Sequence, residues 1–257
     1  MRPEGPFVRR QRSLSRELQI QDLPAEGPVE LAAAPVRGAA SADRPHWLTP
    51  DEAERWSSLS DPRRRMTWAI GRGLIKVITA RYLARNRTSE AMPVDPKEIQ
   101  IDSVDGLQRR VAPRVTWRGR WLRCQLALTH SDHWVAVAIS LDPECRVGID
   151  LVPGLLETTG LDWAFSPQES NWLESSRERG KRRAWLWGMK EALFKSAGNH
   201  LAFRPQQIEL LFNGVDCDSA RMGQDHIPIS WHTELSLGDE RLIAVGTACG
   251  STRNFAA

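Results

Sequence analysis

Cysteine is scarce and scattered in this chain. Cys124, Cys145, Cys217 and Cys249 stand far apart, with no Cys-x-x-Cys among them. That argues against a zinc ribbon or a disulfide scaffold and for a reducing cytoplasm. Long apolar runs are missing as well. Nothing approaches the roughly 20 residues that span a bilayer, and the first residues lack the apolar core of a signal peptide. The protein is therefore expected in the cytoplasm and away from membranes. A large charge of one sign is also lacking. The net charge is +3 over 257 residues, too small to imply nucleic acid by itself. Nor is there a glycine-rich dinucleotide loop. Gly71 and Gly73 form a Gly-x-Gly, but no strand feeds it and no third glycine follows. His130, Asp132 and His133 crowd one turn without a distant fourth partner, which disfavours zinc.

What is present suits a packed core, with 41% hydrophobic and 26% charged residues. The length fits one large domain or two small ones. Arginines cluster at Arg63-Arg64-Arg65 and from Arg177 through Arg183. Such runs are solvated faces, or they meet an acidic protein or a phosphate-rich ligand. Residues 1–44 hold Pro3, Pro6, Pro24, Pro28 and Pro35 without sustained periodicity, which predicts a disordered tail dispensable for chemistry.

Thr49-Pro50-Asp51-Glu52 predicts a helix start, with Thr as N-cap, Pro first and acids in the first turn. A second helix follows Asp61-Pro62 and runs to about Leu83. Ile70, Leu74, Val77 and Ile78 are its apolar face, and Arg65, Arg72 and Lys76 its other side. Strands are expected at 98–104 and 111–128. A hairpin pairs Leu126-Ala127-Leu128 with Trp134 to Ile139, which leaves Thr129, His130 and Ser131 at a strand end. Val147 to Val152 reads as a strand that puts Gly148, Asp150 and Val152 on one face. An aspartate there costs free energy unless it is paired or bound to a metal, although an edge-strand aspartate in water is the plainer alternative. Ser166-Pro167-Gln168-Glu169 predicts a capping box. Further strands are expected at 208–212, 227–235 and 242–247. The order makes the fold α+β, in two related halves of 45–145 and 146–250, with a short tail at 251–257.

The most informative stretch is Trp187 to Lys195. Leu186, Met189 and Leu193 recur as one buried helical face, while Trp187, Glu191 and Lys195 form a second stripe with Lys190 on its edge. One carboxylate between two lysines can hold a divalent cation and meet phosphate oxygens. A plain Glu-to-Lys helix pair is the alternative for these residues alone, supporting the helix by about 0.2–0.5 kcal/mol.

Taken together, the motifs resemble the 4'-phosphopantetheinyl transferases of the surfactin-synthetase-activating type. Leu128-Thr129-His130-Ser131 is similar to that family's Ser-His-Ser segment, and Gly148-Ile149-Asp150-Leu151 to its Gly-Ile-Asp motif. Phe165-Ser166-Pro167-Gln168-Glu169 is similar to its Phe-Ser-x-x-Glu helix start. Trp187-x-x-Lys190-Glu191-Ala192-x-x-Lys195 matches its Trp-x-x-Lys-Glu-x-x-x-Lys signature. The chain departs from the commoner bacterial pattern at Val152, where an acidic residue usually stands. Gly119-Arg120-Trp121 is the nearest counterpart of that family's Gly-Lys-Pro.

The resemblance implies two similar α/β halves in a monomeric pseudo-dimer, with coenzyme A in the cleft between them. It implies Mg²⁺ held by Asp150 and Glu191, and Lys190, Lys195, His130, Thr129 and Arg72 toward the phosphates. It implies Glu191 and Lys195 as catalytic groups acting on a serine of an acyl or peptidyl carrier protein. Two other functions compete: a Mg²⁺-dependent phosphohydrolase using the same carboxylates, and a scaffold that binds coenzyme A or carrier without turnover.

Overall fold

The computed structural model describes residues 14–24, 29–36, 44–85, 94–104, 110–140, 142, 144–157, 159–198, 202–213 and 216–248. The expected tail at 251–257 lies outside them. Among the described residues all strand pairing is antiparallel, in three sheets.

For residues 14–24 and 29–36 the first sheet and its packing correct the expectation of a disordered tail at 1–44; residues 1–13, 25–28 and 37–43 lie outside the described residues. Gln21–Leu23 (β1) and Val29–Pro35 (β2) pair with each other, and β2 pairs along its whole length with Trp134–Ser140 (β7). The edge strand Gln125–His130 (β6) completes the order β1-β2-β7-β6. Ala32, Ala33 and Ala34 are fully enclosed, and Leu14 and Leu18 pack into the same core. An alanine run is a poor strand former on propensity alone. Here both faces of β2 are covered, so small side chains fit where larger ones would not.

Helices Pro50–Ser58 (α1) and Pro62–Arg85 (α2) cover one face of this sheet. Ala32, Ala34, Val135, Val137 and Ile139 point toward α2, with Leu74, Val77 and Ile78 opposite them. The strands Ile99–Val104 (β3), Arg110–Trp117 (β4) and Arg120–Trp121 (β5) form a second, three-stranded sheet beside this core. Gly71 and Gly73, the rejected dinucleotide glycines, serve packing. A Cβ on Gly71 would lie 2.7 Å from Leu128 Cδ1, and one on Gly73 2.5 Å from Leu18 Cδ1.

The third sheet has the order β8-β12-β11-β10-β9, from Cys145–Pro153 (β8), Ile208–Asn213 (β9), Asp216–Met222 (β10), Asp225–Leu237 (β11) and Glu240–Ala248 (β12). Helices Pro167–Glu174 (α3) and Arg179–Ser196 (α4) cover one face, against Val152, Ile243 and Val245. Its other face meets the first sheet. Leu31, Ala33, Ala136 and Ala138 pack there against Val147, Ile149, Leu242 and Ala244. The layers therefore run helix, sheet, sheet, helix, and strand alternation sorts each residue between the cores.

One device appears twice. Thr49 caps α1 in a capping box with Glu52, and Ser166 caps α3 in the same way with Glu169. Each glutamate is buried and takes a 2.6 Å bond from a fully buried lysine on the next helix: Lys76 on α2, Lys190 on α4. Each ammonium also donates to the carbonyl two residues before the cap, at Trp47 and at Ala164. The flanking segments correspond too. Val29-x-Leu31-x-x-x-Pro35 in β2 has the pattern of Val147-x-Ile149-x-x-x-Pro153 in β8. Lys76 therefore does not lie on a solvated face, and Arg72 beside it is buried as well.

Candidate active site

The site forms where the end of β6 meets the middle of β8 beneath α4. Gly148 explains how close the helix comes. A Cβ there would sit 1.8 Å from the Ala192 carbonyl oxygen, so only glycine lets α4 lie directly on β8. One pleat further along β8, Asp150 comes up against the C-terminal turns of that helix.

Asp150 is 4% exposed. Its Oδ1 accepts from Lys195 Nζ at 2.6 Å and from the Thr129 hydroxyl at 3.2 Å. Lys195 Nζ also lies 3.3 Å from Glu191 Oε2 and 3.4 Å from Thr129 Oγ1. One ammonium thus stands between two carboxylates carried by different elements. Burial pushes the Asp150 carboxyl up to about 7, and the Glu191 charge adds to that while Lys195 opposes it. His130, next to Thr129, is exposed. Partial burial and the nearby Lys195 and Arg64 cations hold its imidazole below the ordinary value, against Asp132.

The structure brings together five of the seven expected site residues: Asp150, Glu191, Lys195, Thr129 and His130. Trp187, Glu191 and Lys195 share a half-buried stripe, as their spacing predicts. Lys190 is a correction. It is wholly buried on the opposite side, and its Nζ donates to Glu169 Oε2, the Ala164 carbonyl at 2.7 Å and the Pro205 carbonyl at 3.2 Å. An ammonium has three donors, and all three are used, so none is left for a phosphate. Arg72 is corrected as well. Its guanidinium is buried, donates to the Ile101 carbonyl and stacks over Trp68, which directs it into the first-half core.

Sequence reasoning missed the basic rim. Arg63 Nη2 pairs with Asp132 Oδ1 at 3.2 Å and donates to the Asp132 carbonyl, and Arg64 lies near enough to His130 to lower its pKa. The arginine run at 63–65 was visible, but its position beside the 130–133 turn was not.

Val152 is on the Asp150 face, as alternation requires, but lies under the helix. It is 2% exposed, with its Cγ1 3.0 Å from where a Gly188 Cβ would be. It supplies packing and no ligand.

Among the described residues, no group of three or more His, Cys, Asp or Glu converges on one point. Two do, and they are hard oxygen donors. Mg²⁺ is commonly held by one or two carboxylates, substrate phosphates and water, so Asp150 and Glu191 fit such an ion.

The fold is mixed α/β with antiparallel sheets, and the site joins two carboxylates on different elements through one ammonium. Residues 146–246 match the family model described as the 4'-phosphopantetheinyl transferase superfamily. The matched segment is less than half of the chain and carries Asp150, Glu191 and Lys195 but not Thr129 or His130. Among curated proteins, none matches the chain. Among the described residues, no helix is long and apolar enough to cross a membrane.

Proposed function

We propose that this protein transfers 4'-phosphopantetheine from coenzyme A to a serine hydroxyl of an acyl or peptidyl carrier protein, releasing 3',5'-ADP. The observation that carries the reading is the Asp150–Lys195–Glu191 cluster, set within the segment that matches the transferase superfamily. Mg²⁺ held by Asp150 and Glu191 would draw charge from the diphosphate. The chain's own groups do the rest. Lys195, His130 and Arg64 present positive charge or donors to phosphate oxygens. The Thr129 hydroxyl donates to Asp150 and fixes its orientation. Glu191 is the partly exposed carboxylate, and it takes the proton of the attacking serine hydroxyl, directly or through water. The serine oxygen bonds to the β-phosphorus, the bond from that phosphorus to the bridging oxygen breaks, and 3',5'-ADP leaves with the electron pair.

The surfactin-synthetase-activating type and a monomeric pseudo-dimer are part of this proposal. Two capping boxes, two buried lysine–glutamate pairs and the paired β2 and β8 patterns support a repeated unit. The Thr129-His130 turn comes from one half and Asp150 from the other, which suits a cleft between them.

The test is intact-mass analysis of several apo carrier domains incubated with coenzyme A, Mg²⁺ and this protein. A gain of one phosphopantetheine, abolished by excess chelator, supports the reading. Release of 3',5'-ADP without a carrier would point to a hydrolase instead. Coenzyme A binding with no modified carrier would point to a scaffold.

A further inference from the structure

Resting on that reading of the site, we infer that Lys195 is the resident counter-cation of Asp150 and Glu191 and leaves that place when a divalent cation binds. The ammonium lies 2.6 Å from Asp150 Oδ1 and 3.3 Å from Glu191 Oε2. A Mg²⁺ ion ligated by both carboxylates at about 2.0–2.1 Å needs the same space. Two full cations cannot share it, because their repulsion at contact distance in a half-buried site outweighs what either gains.

The charge balance points the same way. When both carboxyls are ionised, two carboxylates around one ammonium leave one negative charge over; without the ammonium they match a divalent ion. The first half shows the alternative. Arg81 follows the buried Lys76 by five residues, as Lys195 follows Lys190. Its guanidinium pairs with Asp22, which sits across from Ala32 on the neighbouring strand. Ala32 and Val77 stand where the second half has Asp150 and Glu191, so among the described residues that arginine faces one carboxylate with no surplus. The surplus appears at Asp150.

Lys195 is also the member able to move. Its side chain is 31% exposed while that of Asp150 is 6% exposed, and its four-carbon stem is flexible. His130 already lies close enough to feel the Lys195 and Arg64 charges, so an ammonium released from the carboxylates has an electropositive neighbourhood beside it. The exchange thus delivers a positive charge to the phosphate side as the metal takes the carboxylates.

The test is Mn²⁺ binding to the full chain at pH 8 without coenzyme A, read from the free-ion electron paramagnetic resonance signal. Lys195→Met is expected to bind Mn²⁺ at least about tenfold more tightly than wild type, while Lys195→Arg, which keeps the charge, stays close to wild type. Equal or weaker binding by Lys195→Met overturns the exchange. If wild type still modifies a carrier in the parallel mass assay, only the exchange has failed. If none of the three chains takes up Mn²⁺ although coenzyme A binds by calorimetry, the metal assignment fails and the exchange with it.

Discussion

Lys190 offers the sharpest test of the structure against the sequence pattern. Replacing it with methionine keeps an unbranched helix former of similar reach, but it removes the cation from a pair in which both side chains are fully enclosed. Glu169 would remain buried, still holding the Ser166 amide through Oε2 and the Leu210 amide through Oε1. Removing one partner of a buried pair costs about 3–5 kcal/mol. In a chain of this size, each kcal/mol shifts the melting point by about 2–4 °C, so Lys190→Met should melt roughly 6–20 °C lower. Adding Glu169→Gln should recover part of that loss, because the orphaned charge is gone. Calorimetry on the three variants, with turnover measured well below each transition, separates stability from chemistry. Lys195→Met should behave differently, melting less far below wild type because its side chain is 31% exposed and the Asp150 carboxyl can take up a proton, and losing about 10²–10³ in rate, the usual loss for one donor to a transition state. Should Lys190→Met melt within about 2 °C of wild type and yet lose a hundredfold in turnover, its ammonium would belong at a phosphate and the brace described above would be wrong.

Other outcomes follow from the same geometry. Removing residues 1–42 strips β2 from the centre of its sheet and exposes Ala136 and Val137, so the truncated chain should be insoluble or lack cooperative melting; a soluble fragment with full carrier modification would return this segment to a dispensable tail. Gly148→Ala drives a methyl into the Ala192 carbonyl and should lower both stability and turnover, which melting and carrier assays report together. Asp150 holds its proton up to about pH 7 when folded, against an ordinary value of 3.8, so the folded state binds more protons across that window. This group therefore costs stability as pH rises from about 4 to 7, with the full cost above 7. Asp150→Asn should raise the melting point of the metal-free protein at pH 8 more than at pH 4 while abolishing turnover.

Much of the fold was legible because its signals are local. The Thr49 N-cap, the Ser166 capping box, the apolar stripe of α2 and the 126–139 hairpin depend on side chains a few positions apart. The candidate site was legible for a related reason: Asp150 stands among apolar strand residues, Glu191 stands between two lysines on a helical stripe, and strand and helix periods say which way they face. What was hidden depends on tertiary context. Val29-Glu30-Leu31-Ala32-Ala33-Ala34-Pro35 carries neither β-branched alternation nor turn signals, and it becomes a strand only because two layers close on it. The pattern it shares with 147–153 was the available clue. β10, Asp216-Cys217-Asp218-Ser219-Ala220-Arg221-Met222, is polar enough to pass for a loop. Lys190 and Lys195 are five residues apart, so they lie on different sides of α4; the motif lists both, but only packing tells the brace from the phosphate-side cation.

Under the proposed function, that division lets the same brace occur twice while the charged cluster occurs once. In both halves a glutamate at the third helical position closes the cap, and a buried lysine on the next helix is drawn to it and to the carbonyl before it. These bonds are satisfied inside and constrain the rotation of α2 and α4 about their axes. The face each helix turns to its strand is then set, whatever residues occupy it. On α2 that face carries Val77 over Ala32, and the result is core. On α4 it carries Glu191 and Lys195 over Asp150, and the result is a charged cluster. Because the brace does not touch that cluster, substitutions along the Trp187–Glu191–Lys195 stripe can alter it without unseating the helix. Substitutions at Glu169 or Lys190 should instead disturb every site group on α4 at once.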